Sequence, residues 1–142
     1  MTKRIYGLLS MLAITLTVPL CAQTVTLTAN IPFAFTMANK TLPAGEYLIR
    51  NGSDPSVLIF QGEDTHAAGL TLVNHEAMLR TDHPAADTKL VFNRYGNQYF
   101  LSEVVDGYVW NGFVVPMPKA ERELAKTASA ERHEVLATLA KR

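Results

Sequence analysis

The chain has 142 residues, of which 18% are charged and 48% hydrophobic, with thirteen basic side chains balancing thirteen acidic ones. That length suits one domain. The even charge excludes a generally basic nucleic-acid binder and a long acidic solvating tail, and the supply of strand-forming residues excludes wholesale disorder.

Residues 1–22 have the order of a secretory signal peptide: Lys3 and Arg4 at the start, an apolar run from Ile5 to Leu20 broken by Pro19, and small Ala22 at the end. The expected cleavage follows Ala22 and leaves Gln23 first, with the product periplasmic or extracellular. A retained membrane anchor is the first rival, weakened by a short run that carries several hydroxyls. A lipoprotein modified at Cys21 is the second, weakened by bulky Leu20 before it. Loss of 1–22 would remove the single cysteine, so stability has to come from a core and not from a disulfide.

Residues 23–116 read as a β-domain. Thr24 to Thr28 alternates with period two, and Ile31 to Met37 is apolar, with Pro32 marking an edge or a strand start. Further runs are Glu46–Arg50, Ser56–Gln61, Ala67–Val73, Lys89–Tyr95, Gln98–Val105 and Tyr108–Val115. Turn signals separate them at Pro43-Ala44-Gly45, Asn51-Gly52, Gly96-Asn97 and Asp106-Gly107. Residues 74–88 read as a long polar loop with one helical turn at Glu76–Leu79. The fold expected is all-β: an antiparallel sandwich or barrel of about eight short strands, with one C-terminal α-helix. That helix is placed in 117–142, where Pro118 suits a first helical position and Ala, Glu, Lys, Arg and Leu dominate. Its apolar stripe is Leu124, Ala125, Ala128, Val135, Leu136 and Leu139, interrupted by Arg132; its expected place is docked on the barrel end or sheet, and the alternative is a projecting helix that binds a partner.

Ile31-Pro32-Phe33-Ala34-Phe35, Leu42-Pro43-Ala44-Gly45-Glu46-Tyr47 and Tyr99-Phe100-Leu101-Ser102-Glu103-Val104, with Ala120 to Ala125 after them, resemble signatures of a group of small exported bacterial proteins of unknown function. The resemblance spans most of the chain after residue 22. It implies a bacterial envelope or secreted protein and brings no activity, cofactor or functional residue with it.

Chemistry-bearing patterns are sparse. His66, His75, His83 and His133 lack the close-spaced pairs of a zinc site, so no metal or other cofactor is expected. No GxSxG elbow surrounds Ser102 and no phosphate-cradling glycine loop is present, so no catalytic residue is assigned. Two-residue turns at Gly96-Asn97 and Asp106-Gly107 would pair Val91 with Ser102 and Glu103 with Trp110. One face would then carry Leu90, Phe92, Leu101, Val105, Tyr108 and Trp110 around Glu103; the other would carry Asn93, Ser102 and Asn111. Glu103 beside Trp110 is either a desolvated acid in a ligand pocket or a carboxylate paired with a base at the sheet rim. The polar row is either a glycan or peptide patch or an ordinary solvent face. The function expected is an exported envelope protein in a non-enzymatic structural or interaction role. The alternative is a small-ligand or glycan-binding β-domain with its site around Trp110 and Tyr108. An envelope protein or a glycan is the partner considered, with no nucleic acid and no stable membrane span after processing. A cavity inside the barrel would favour the ligand-binding alternative, and a filled core with an exposed apolar patch would favour the interaction role.

Overall fold

A computed structural model describes residues 26–74, 87–107 and 111–140. The expected helical turn at 76–79, with His75 and His83, lies outside the described residues, as do residues 1–25 and Tyr108 to Trp110.

The described strands are β1 (Thr26–Ile31), β2 (Phe35–Met37), β3 (Lys40–Leu42), β4 (Gly45–Asn51), β5 (Val57–Gly62), β6 (Ala68–Leu72), β7 (Lys89–Tyr95), β8 (Gln98–Asp106), β9 (Asn111–Val114) and β10 (Glu131–Leu139), with one short helix, α1 (Lys119–Leu124). They form a single sheet in the order β3-β2-β8-β7-β10-β1-β4-β5-β6, with β9 also paired to β8. Pairing is antiparallel except between β2 and β8, where Thr36 lies beside Phe100 in parallel. The sheet curls until its two ends nearly meet: Lys40 Nζ on β3 donates to the Ala68 carbonyl on β6 at 2.6 Å. Gly69 permits this approach, since a Cβ there would stand 2.7 Å from Met37 Cε and 3.1 Å from Leu42 Cδ1. The all-β fold expected from the sequence is therefore present, and of the sandwich and the barrel it takes the nearly closed barrel-like form.

The barrel interior is packed with side chains. Phe35 stands at its middle, edge-on to Tyr47 and Phe92 with centroids 5.4 and 5.5 Å away, and tilted against Phe60 at 6.1 Å. Leu27, Ile31, Ile49, Leu58, Leu90, Leu101 and Val104 complete the filling, and all are buried. Burial of this aromatic and aliphatic surface is the main stabilising term for a chain without a described disulfide.

The large apolar residues of the family-like signatures occupy packing positions. Ile31 and Phe35 are core, and Phe33 stacks on Tyr99 with centroids 3.8 Å apart. The Tyr47 hydroxyl donates to the Pro43 carbonyl at 2.7 Å and so closes the β3–β4 turn from within. Pro32 splits the expected strand 31–37 into the end of β1 and β2.

The expected helix over 117–142 is corrected. Among its described residues only Lys119–Leu124 is helical, and Glu131–Leu139 is a strand lodged between β7 and β1. Helix propensity is a weak preference, and here a slot with two open ladders outweighs it. The period is two: Val135 and Ala137 point into the core, while Arg132, Glu134 and Leu136 point out. Arg132, the misfit of the helical stripe, belongs to the outer row.

Candidate binding cleft at the open edge of the sheet

The Gly96-Asn97 turn forms as expected: Gly96 has φ of +60°, Tyr95 pairs with Gln98, and Asn93 pairs with Phe100. The register then departs from the simple extrapolation. A bulge at Ser102 pairs Phe92 with Leu101 but Val91 with Glu103. One extra residue reverses the faces beyond it. Val104 enters the core, whereas Glu103 and Val105 face outward with Val91. In the next hairpin Val105 pairs with Gly112 and Asp106 with Asn111, which the expected two-residue Asp106-Gly107 turn, needing Val105 opposite Tyr108, does not allow. Glu103 consequently stands opposite Val114, not Trp110.

The pocket around Glu103 and Trp110 is therefore not assembled by the pairing. Glu103 is instead the rim carboxylate, bound by Arg132 Nη2 at 3.1 Å and Nη1 at 3.4 Å. Arg132 also reaches Glu134 at 3.3 Å, and Glu134 takes Lys89 Nζ at 2.9 Å. The Lys89 hydrogen bond is the main reason the Glu134 carboxyl titrates below its ordinary range. This outer network is partly exposed, with Arg132 and Glu134 in water, and contributes modestly to stability.

Of the polar row, Asn93 and Ser102 lie on the neighbouring strands β7 and β8. Asn93 turns to α1 and donates from Nδ2 to Glu121 Oε1 at 2.7 Å, and the Ser102 carbonyl accepts from Val115 N–H at the bulge. The Asn111 side chain lies outside the described residues. Glu121 is the one buried residue of α1, only 1% exposed. Burial raises its carboxyl pKa, with Asn93 and Tyr95 opposing the shift. The same burial, with Glu121 beside it, raises Tyr95. Glu121 thus pins the short helix to the sheet.

The remaining histidines are apart. His66 lies between β5 and β6 with φ of +52°, and His133 lies edge-on to Phe33 and Tyr99. Among the described residues, no three potential metal-ligating side chains converge.

The feature that stands out lies elsewhere, on β6. Val73 N–H donates to Ser56 O and Gly62 N–H to Ala67 O, which fixes the alternation of the β5–β6 ladder. Residues 67, 69, 71 and 73 direct their backbone groups at β5, so those of Ala68, Leu70 and Leu72 point away from the sheet. Lys40 takes the Ala68 carbonyl, and the Thr71 hydroxyl donates to the Leu72 carbonyl at 3.1 Å. The Leu70 N–H and C=O and the Leu72 N–H have no partner among the described residues.

Prolines explain why this edge stays open. Beyond β6, Asn74 N–H donates to Val114 O at 3.0 Å, an isolated antiparallel bridge between the end of β6 and β9. Continued in register, that ladder would set Leu72 against Pro116 and Leu70 against Pro118. Neither proline has an N–H to give. The two chains separate after one bridge and leave an open cleft of about 430 Å³, lined by Leu70, Leu72, Pro116 and Met117, with Lys119 and Arg122 at its helical end. The turn residues Ala38 and Asn39 border it and a second hollow of about 520 Å³ along the same edge. Leu70 is 64% exposed, Leu72 63% and Met117 43%, so three of the five exposed large hydrophobics among the described residues flank this one cleft.

The run Ala67–Val73 reads as a strand without revealing its open side. The signal was Pro116 and Pro118 around Met117, two missing donors on one side of an extended segment. Among the described residues, no helix is long and apolar enough to cross a membrane. Compared with family models, curated proteins and solved structures, the chain matches none.

Proposed function

We propose that this protein is an exported, non-enzymatic component of a bacterial envelope whose filled barrel is a scaffold for an interaction surface at the β6 edge. The observation that carries the proposal is the contrast between inside and outside. The interior is occupied by Phe35, Tyr47, Phe60 and Phe92, whereas Leu70, Leu72 and Met117 are left in water around an unpaired strand edge. Large exposed apolar side chains gathered at one place mark contact sites more often than isolated ones do. The alternative of a ligand-binding barrel needs interior space that these rings fill. Export rests on the order of residues 1–22.

The test is site-specific photocrosslinking in the producing cell, with a photoreactive residue at position 72 or at exposed Thr138 on another wall. Adducts that depend on position 72 are expected. Equal crosslinking at both positions, or none at position 72, contradicts the proposal.

A further inference from the structure

The chemistry of the cleft narrows what fits it. A strand edge with free N–H and C=O groups pairs with another extended backbone, the mode of strand addition. Leu70 N–H, Leu70 C=O and Leu72 N–H supply such an edge over the length where Pro116 and Pro118 have withdrawn. Apolar walls from Leu70, Leu72 and Met117 favour aliphatic side chains on the incoming segment. Lys119 and Arg122 give the helical end its sign. Both are exposed, and neither forms an ion pair among the described residues, where Lys89, Arg94, Lys126 and Arg132 all do. α1 is held in place by Glu121 on the side facing Asn93, which leaves these two cations at the cleft.

From this edge, its apolar walls and its two unpaired cations, we propose that the β6 cleft binds an extended, aliphatic peptide segment bearing a carboxylate, added as a strand along Leu70–Leu72 with the carboxylate at Lys119 and Arg122. This rests on the reading of the cleft as an interaction surface and names its partner class. The main-chain bonds give affinity without regard to sequence. The cations set direction and charge preference, as exposed charges at an interface rim do.

The probe is a fluorescein-labelled peptide of alternating valine and threonine ending in glutamate, titrated into the purified full chain by fluorescence anisotropy. A second peptide ends in an amidated lysine, and a third carries N-methyl groups along the edge-pairing side. The glutamate peptide is expected to bind about fivefold to tenfold more tightly than the lysine peptide, the sum of two exposed ion pairs. N-methylation is expected to abolish binding, because it removes the backbone donors without touching the side chains. Lys119→Glu combined with Arg122→Glu is expected to invert the preference, with circular dichroism confirming the strand signal. Should that variant fail to fold, the N-methyl comparison on the unaltered protein decides alone. Equal affinity for the two ends, binding that survives N-methylation, or no binding overturns the proposal. If position 72 still crosslinks in the cell while the peptides fail, the interaction surface stands and its assignment to a peptide strand falls. A dimer by sedimentation that Leu72→Lys dissolves makes a second copy of the chain the occupant and also overturns it.

Discussion

Single residues carry opposite pH signatures in this barrel. The Glu121 carboxyl, buried against Asn93 and Tyr95, titrates above its ordinary value because burial penalises its charge. Its contribution to stability is therefore full below the unfolded carboxyl pKa and is lost as pH rises through the folded one. Glu134 runs the other way: Lys89 holds it low, so its small contribution exists above the ordinary carboxyl pKa and fades in acid. Glu121→Gln keeps an oxygen acceptor for Asn93 and removes the charge. Thermal melts should show this variant raised relative to the parent at pH 8 and level with it at pH 4; a variant less stable at pH 8 would contradict the assignment. Gly96 gives a second prediction at this scale. Its φ of +60° lies where only glycine is unstrained, and a Cβ there would meet nothing within 4 Å. Gly96→Ala should thus cost about 1–2 kcal/mol by chemical denaturation, from backbone conformation alone. This turn was legible because glycine at a hairpin tip has one physical use. The faces beyond Ser102 were not, since a bulge of one residue leaves no mark in an apolar run such as Phe100 to Val105.

At the scale of elements, the C-terminal segment teaches most. Residues 119–140 are rich in helix formers, yet the helix ends at Leu124 and the chain returns as β10 in the middle of the sheet. Alternation was present in the sequence, with His133, Val135 and Ala137 against Arg132, Glu134 and Leu136, but a helical stripe through Leu136 and Leu139 competed with it. What decided between them was the need of β7 and β1 for a shared neighbour, a tertiary demand that no local window contains. The two readings differ sharply at adjacent residues. In a strand, Val135 is core and Leu136 is 68% exposed. Val135→Ala should cost about 1–3 kcal/mol and Leu136→Ala within about 0.5 kcal/mol by urea denaturation. Similar losses at both positions would restore the docked helix. The strands from β4 to β8 were legible from alternation and turn chemistry. β3 was not, because three residues, Lys40–Leu42, are too few to show a period.

At the scale of the whole molecule, the barrel interior is packed, and the described surface has a seam that is incompletely sewn. Lys40 and Gly69 draw β3 and β6 together at one end of that seam, while Pro116 and Pro118 hold it open at the other. The candidate site was half legible: Leu70, Leu72 and the prolines are plain in the sequence, but their adjacency depends on a single bridge between Asn74 and Val114. Export adds a separate prediction: mass spectrometry of the protein from its native cell should find Gln23 at the start, whereas an uncut Met1 or a lipid on Cys21 would contradict it. The proposed binding surface stands or falls with the open edge itself. Residue-resolved amide hydrogen exchange on the folded protein tests it most directly, because protection follows hydrogen bonding and burial. Thr71 and Val73, whose N–H groups face β5, should exchange slowly, while Leu70 and Leu72 between and beside them should exchange near the rate of free chain. Equal protection at all four would mean that the β6 edge is already paired, and the cleft would have no backbone to offer.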